Sequence, residues 1–206
     1  MHKGKLISFE GLDGAGKTTQ IELLEKWLIS QQIEYVRTRE PGGTALGTAI
    51  RQLILEPPGP MSPLAEAFLF AADRAQHFTE VVIPALNASQ VVICDRCFDS
   101  SIAYQGYVRG VGTGFVEHLS RACMQLREPH LTILLDLPPE QVALRKNTED
   151  ASRFDTESLA FHSKLRAAFL ARAKSSPRRM KVVDATQSVE AVHHEVVRLV
   201  EAIFEE

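Results

Sequence analysis

Gly11-Leu12-Asp13-Gly14-Ala15-Gly16-Lys17-Thr18 sets glycines, one lysine and one hydroxyl at the spacing G-x-x-x-x-G-K-[ST]. Glycines at Gly11, Gly14 and Gly16 let the backbone curl until several N–H groups converge on one anion. A helix beginning there adds its own unpaired N–H groups and partial positive charge. A lysine at position 17 reaches the β- and γ-phosphates of a nucleotide, and the hydroxyl of Thr18 can ligate Mg²⁺. Glycine-rich turns match such spacing by chance, so the flanks decide. Leu6-Ile7-Ser8-Phe9 before the loop is a short apolar run of strand character. Ile21, Leu24, Trp27 and Leu28 after it recur at helical spacing. The segment reads as a phosphate-binding loop joining a strand to a helix.

Other residues of chemical interest sit at the ends of apolar runs. Asp95 and Arg96 follow Val91-Val92-Ile93-Cys94. A carboxylate at such a strand tip suits the organising of a metal beside the phosphate loop, the alternatives being a helix cap or an ion pair. Thr38-Arg39-Glu40-Pro41-Gly42-Gly43 joins a guanidinium, suited to a bidentate grip on phosphate, to a turn that lets backbone approach a ligand closely. Phe70 and Arg74 are one helical turn apart, so a flat ring and a donor-only guanidinium share a face. Ser101, Tyr104 and Gln105 offer an opposite wall, and Gln105 can both donate and accept toward a base. Arg145, Lys146 and Arg153 gather cations near a polar stretch, 147–152, placed to act as a lid over a charged transition state. The Cys94–Cys97 spacing lacks the further ligands of a zinc site, and the pair reads as buried packing. The seven histidines show no ligand spacing and read as surface or capping residues.

These residues need a scaffold, and the chain supplies one. At 206 residues it suits a single α/β domain, 1–206, with a lid at about 146–156. A net charge of −3 argues against a nucleic-acid binder. Neither a signal peptide nor an apolar run long enough to cross a bilayer is evident, so a cytoplasmic protein is expected. Strand candidates are 6–9, 35–38, 91–94, 131–137 and 181–183. Helical patterns fill 17–32, 46–55, 64–87, 114–126, 140–146, 157–174 and 189–204. Several strands are apolar throughout, as when helices cover both faces of a parallel sheet. The expectation is a three-layer αβα fold of the P-loop NTPase type, with a five-stranded parallel sheet, ligands gathering at the strands' C-terminal ends and a short lid.

The segments F-E-G-L-D-G-A-G-K-T, T-R-E-P-G-G, F-x-x-x-R, D-R-C-F-D-S-S-I-A-Y-Q-G and V-D-A-T-Q-S-V-E-A-V together resemble the bacterial thymidylate kinases, which are P-loop nucleoside-monophosphate kinases. The resemblance runs from the first strand to the last helix. It implies phosphorylation of dTMP to dTDP with ATP and Mg²⁺, usually by a homodimer. By the same resemblance Gly11, Gly14, Gly16, Lys17, Thr18 and Thr19 hold the ATP phosphates, and Thr18 and Asp95 the metal. Asp13 lies near the dTMP sugar and phosphate, and Arg39 and Arg96 grip that phosphate. Phe70 stacks on thymine, Arg74 bonds its O4, Ser101 and Gln105 line the base pocket, and Tyr104 stands where a ribose 2′-OH would go. Arg153 is the lid arginine, Arg145 lies near the adenine, and the turn ending at Gln187 edges the adenine pocket. Cys97 departs from the Tyr or His common at its place, and the lid is poorer in arginine than in many relatives.

Overall fold

The computed structural model describes residues 4–145 and 157–205. Among them five strands form one sheet, every pairing parallel, in the order β2-β3-β1-β4-β5. The strands are β1 (Lys5–Glu10), β2 (Tyr35–Arg39), β3 (Val91–Asp95), β4 (Leu131–Asp136) and β5 (Met180–Asp184). The central three are buried almost throughout, which is why they read as unbroken apolar runs, whereas the edge strands β2 and β5 keep exposed positions.

The helices between them are α1 (Lys17–Ser30), α2 (Ala45–Leu55), α3 (Pro63–His77), α4 (Ile83–Asn87), α5 (Phe98–Ser101), α6 (Thr113–Cys123), α7 (Pro139–Arg145), α8 (Leu159–Ser175) and α9 (Val189–Glu205). Side chains alternate across β1 and β3. Ile7, Phe9 and Ile93 join Ile21, Leu24 and Leu28 of α1 and Val196 and Val200 of α9 in one cluster. Leu6, Val92 and Cys94 join Phe78, Val82, Phe98 and Met124 in another. Helices thus cover both faces, the expected three layers. Each fully buried Leu, Ile or Phe contributes about 1.5–3 kcal/mol by leaving water.

Two elements depart from their sequence pattern. The apolar period over 64–87 is one helical run in which α3 passes through a π-helical stretch, Phe78–Val82, into α4. Pro84, which has no N–H, sits just past it, and a widened turn accommodates the missing donor. Residues 98–108, for which the sequence predicts no helix, form α5 and a second π-helical stretch, Ile102–Val108. Phe98 to Gly106 are all buried, so no polar face marks a helical period there. Ion pairs anchor the segment: Asp99, fully buried, accepts from Arg172 Nε of α8 at 2.8 Å and from Arg179 Nη1 at 2.6 Å. Burial pushes the Asp99 carboxyl up, but the two guanidiniums outweigh it and hold it below its ordinary value.

Candidate active site

The phosphate loop leaves β1 at Gly11 and ends at Gly16, the left-handed N-cap of α1 with φ 97°. Gly11 has no substitute: its φ is 132°, and a Cβ would lie 2.5 Å from the Leu135 carbonyl oxygen. Lys17 Nζ folds over the loop, donating to the Leu12 carbonyl at 3.1 Å and pairing with Asp13 Oδ1 at 3.5 Å. Burial, with Arg96 adding repulsion, lowers the Lys17 pKa against the pull of Asp13, Asp95 and Glu10. Thr18 and Thr19 are exposed at the start of α1.

β3 delivers Asp95 and Arg96 to the same place. Arg96 adopts φ 68°, a conformation rare for a residue with a side chain. Its neighbours fix it there. Its backbone N–H donates to the Phe9 carbonyl at 3.0 Å, and its guanidinium donates to Asp13 at 2.6 Å and Ser100 at 3.0 Å. The guanidinium also lies 5.6 Å from the Tyr104 ring centroid. Beneath it Glu10 is fully buried, accepting from the Cys97 N–H and the Ser100 hydroxyl. Burial, reinforced by the Asp99 charge, pushes the Glu10 carboxyl up to about 7. Asp95 Oδ1 is buried and has no hydrogen-bond partner among the described residues. That orphaned carboxylate oxygen and the exposed Thr18 hydroxyl border one cavity, and both are hard oxygen donors of the kind that suits Mg²⁺.

β2 ends at Arg39, and the Glu40–Pro41 peptide that follows is cis. Gly43 is required by close approach, since a Cβ would sit 2.6 Å from His77 and Thr38 atoms. The turn is held from below. The Gly42 N–H donates to Asp73 Oδ1 at 2.9 Å, and Arg51 Nη1 of α2 donates to the Pro41 carbonyl at 3.1 Å. Burial, with the Glu40 charge, pushes the Asp73 carboxyl up to about 6.

α3 carries a polar stripe on an otherwise apolar face: Glu66, Asp73, Arg74 and His77 are all buried. The Arg74 guanidinium donates to Glu40 Oε2 at 2.8 Å, to Ser101 at 3.0 Å and to Ser120 at 3.1 Å. His77, read from sequence as surface or capping, is wholly buried between Glu40 and Thr38. Glu40 and Thr38, on a segment distant in sequence, satisfy both ring nitrogens and so allow the burial. Glu40, His77 and Cys94 bring three possible metal ligands within 4.8 Å, but both His77 nitrogens are already hydrogen-bonded, which leaves none for an ion. Cys94 and Cys97 are buried free thiols, as the packing reading expects, and burial raises both pKa values well above the ordinary thiol range.

A cavity of about 740 Å³ opens at the C-terminal strand ends and brings most of the predicted residues together. Asp13, Gly14, Gly16, Lys17, Thr18, Thr19, Asp95, Arg96 and Arg39 border it, as do Phe70, Arg74, Ser101, Tyr104 and Gln105. Gly11 does not line it but shapes the loop behind it. Gln187 lies instead on a second cavity of about 430 Å³, which shares Gly14, Gly16 and Thr19 with the first. Arg145 ends α7, and its side chain lies outside the described residues, as do Lys146, Arg153 and the lid at 146–156. Arg51 was missed: it borders the cavity beside Arg39, whose charge, after burial, lowers its pKa. Glu10, Glu40, Glu66 and Asp73 were missed too. The spacing of Glu66, Phe70, Arg74 and His77 on one helix face was the available signal.

The thymidylate kinase family model matches residues 9–196. The thymidylate kinase of Symbiobacterium thermophilum is 46% identical over 198 residues, covering 96% of this chain and 92% of its own. That of Pelotomaculum thermopropionicum is 44% identical over 206 residues, covering 98% and 95%. The crystal structure of thymidylate kinase from Ehrlichia chaffeensis superposes with a TM-score of 0.80 at 32% identity, covering 96% of this chain and 98% of that one.

Proposed function

The chain belongs to the thymidylate kinase family and phosphorylates dTMP to dTDP with ATP as donor, and we propose that it does so by direct in-line transfer across the strand-end cavity. The observation that carries this reading is the continuity of that cavity. The cations Lys17, Arg39 and Arg96 border the same space as Phe70, Arg74 and Gln105. An acceptor phosphate and its base can therefore occupy one site with the base away from the phosphate loop.

Arg39 and Arg96 grip the dTMP phosphate, and Asp13 steadies Arg96. A phosphate monoester dianion is already a competent nucleophile, so no protein base is needed. The backbone of Gly11, Gly14 and Gly16, with Lys17, Thr18 and Thr19, cradles the ATP phosphates. Gln187 and Arg145 border the adenine, and the place of Gln187 on the second cavity supports its part of this reading. Lys17 and the lid residue Arg153 neutralise charge on the moving phosphoryl group. Asp95 and Thr18 would hold Mg²⁺, which when bound supplies further neutralisation of the phosphates. Phe70 stacks on the base, and Ser101 and Tyr104 close the pocket, Tyr104 occupying the room a 2′-OH needs. Arg74 donates toward thymine O4. Cytosine would set its N4 donor against that guanidinium and leave buried polar groups unpaired, a strong source of discrimination.

A second copy of this chain is the partner we assign to the face formed by α2, α3 and α6. Leu46, Leu53, Leu64, Phe68 and Phe115 are exposed there, and the Phe68 and Phe115 rings meet edge to face at 6.2 Å. Among the described residues no helix is long and apolar enough to cross a membrane. The three free thiols suit the reducing cytoplasm.

The test is ADP production from ATP and Mg²⁺ with dTMP, dUMP, dCMP, UMP, AMP or GMP as acceptor. Strong preference for dTMP supports the assigned base pocket. Robust turnover of another acceptor discards that pocket while keeping the phosphate site. Turnover independent of any acceptor removes the transfer mechanism.

A further inference from the structure

We infer that Glu66 sets the hydrogen-bond polarity of the base pocket by holding the Gln105 amide in one of its two orientations. This rests on the reading of Phe70, Arg74 and Gln105 as that pocket. A side-chain amide carries an acceptor on one side and two donors on the other, and a flip exchanges them at almost no steric cost. What fixes the choice is the neighbour. Gln105 Nε2 donates to Glu66 Oε1 at 2.7 Å, with both residues buried. A carboxylate only accepts, so the flipped amide would set oxygen against oxygen at that distance. Arg109 Nε lies 4.0 Å from the same Glu66 oxygen.

With Nε2 committed to Glu66, the remaining amide atom has one chemistry. Gln105 Oε1 is buried and lacks a hydrogen-bond partner among the described residues, although Gln105 borders the cavity. A buried acceptor without a partner calls for a donor from a ligand. Arg74, fixed by Glu40, Ser101 and Ser120, presents donors only. The two residues thus offer a donor and an acceptor to one planar ligand. That pattern matches the O4 and N3–H of thymine or uracil and opposes the N4 amine and bare N3 of cytosine. Glu66, Phe70 and Arg74 follow one another at four-residue steps along α3. One helix therefore carries the stacking ring, the fixed donor and the residue that orients the acceptor. Glu66 is a positioning residue, acting through Gln105 without touching the base.

The test compares kcat/KM for dTMP, dUMP and dCMP in the full-length enzyme and in Glu66→Gln. Glutamine can donate or accept and so releases the Gln105 amide to flip. The dTMP-over-dCMP ratio should fall by about tenfold to a hundredfold, the scale of one mispaired buried group. The dTMP-over-dUMP ratio should not change, because the two bases share O4 and N3–H. Glu66→Met, which removes the acceptor and adds no donor, should give the same loss. In a Gln105→Met background, Glu66→Gln should leave the dTMP-over-dCMP ratio where Gln105→Met alone puts it. A uniform drop for all three acceptors would mark Glu66 as merely structural and overturn the inference. If Gln105→Met lowers the dTMP-over-dCMP ratio and neither Glu66 variant does, the pocket stands and the role of Glu66 falls. If Gln105→Met leaves that ratio unchanged, the pocket reading itself has failed.

Discussion

Glu40→Gln removes one negative charge from the most buried ionic cluster near the site, and the structure allows its cost to be worked out. Glu40 is 3% exposed, and Arg74, its partner at 2.8 Å, is 1% exposed. Glutamine fills the same volume. Its carbonyl can accept from Arg74, and its amide can donate to an unprotonated His77 Nδ1 while Nε2–H donates to Thr38. The hydrogen bonds survive that rearrangement, and only the counter-charge is lost. Deleting one partner of a buried pair costs about 3–5 kcal/mol, and an isosteric polar replacement belongs at the low end, about 3 kcal/mol. For a chain of this length, where 1 kcal/mol shifts Tm by about 2–4 °C, the expected drop is about 6–12 °C. The pH dependence carries its own sign. Burial pushes the Glu40 carboxyl up, but Arg74 and His77 pull harder and leave it below its ordinary value of 4.5. A carboxyl held low in the folded state adds stability above its unfolded pKa and loses it as pH falls through the folded one. The gap between parent and variant should therefore be full at neutral pH and close in acid below about 4.5. Urea unfolding across pH measures both, and the KM for dTMP should rise in parallel as Arg74 loses its counter-charge. A loss below about 1 kcal/mol at neutral pH, or a gap that persists in strong acid, would refute the reasoning.

Glu10→Gln should act in the opposite sense on the pH profile. Because the Glu10 carboxyl is pushed up to about 7, the folded state binds more protons than the unfolded one between about 4.5 and 7, and stability falls as pH rises through that window. The variant should flatten that slope, and a parallel profile in urea unfolding would acquit the carboxyl. Lys17→Met should lower kcat by about a hundredfold to a thousandfold without lowering Tm, since burial already disfavours the charged amine. Single-turnover rates with saturating dTMP, set beside a thermal melt, check the pair of outcomes. Asp95→Asn should raise the Mg²⁺ concentration for half-maximal activity by about tenfold, and an unchanged Mg²⁺ requirement would exclude Asp95 as a ligand. If the apolar α2–α3–α6 face pairs two copies as proposed, Phe68→Glu, which sets a charge into it, should give monomer in sedimentation velocity where the parent chain gives dimer.

The strands and the phosphate loop were legible because each depends on neighbours in sequence. Continuous apolar runs mark β1, β3 and β4 as buried on both faces, and the glycine spacing requires the left-handed turns seen at Gly11 and Gly16. The helical segment 98–108 was not legible. Buried from Phe98 to Gly106, it offers no polar period, and its shape comes from Asp99 binding Arg172 and Arg179 far along the chain. The order of strands was not legible either, because nothing periodic in a strand says which neighbour it takes.

The same distinction separates the two halves of the site. Phosphate is recognised by backbone N–H groups and cations from short contiguous motifs, so Lys17, Arg39 and Arg96 could be named from their own surroundings. In the proposed pocket, recognition of a base depends on which atoms of Arg74 and Gln105 are left over after their buried partners are served. Those partners lie 34 residues away for Glu40 and 39 for Glu66. A glutamine in a sequence is an acceptor and a donor at once, and only Glu66 makes Gln105 one of them toward the cavity. On the proposed reading, buried carboxylates such as Glu40 and Glu66, ordinarily expected on the surface, are thus where the fold writes specificity onto a loop shared by many nucleotide-binding proteins.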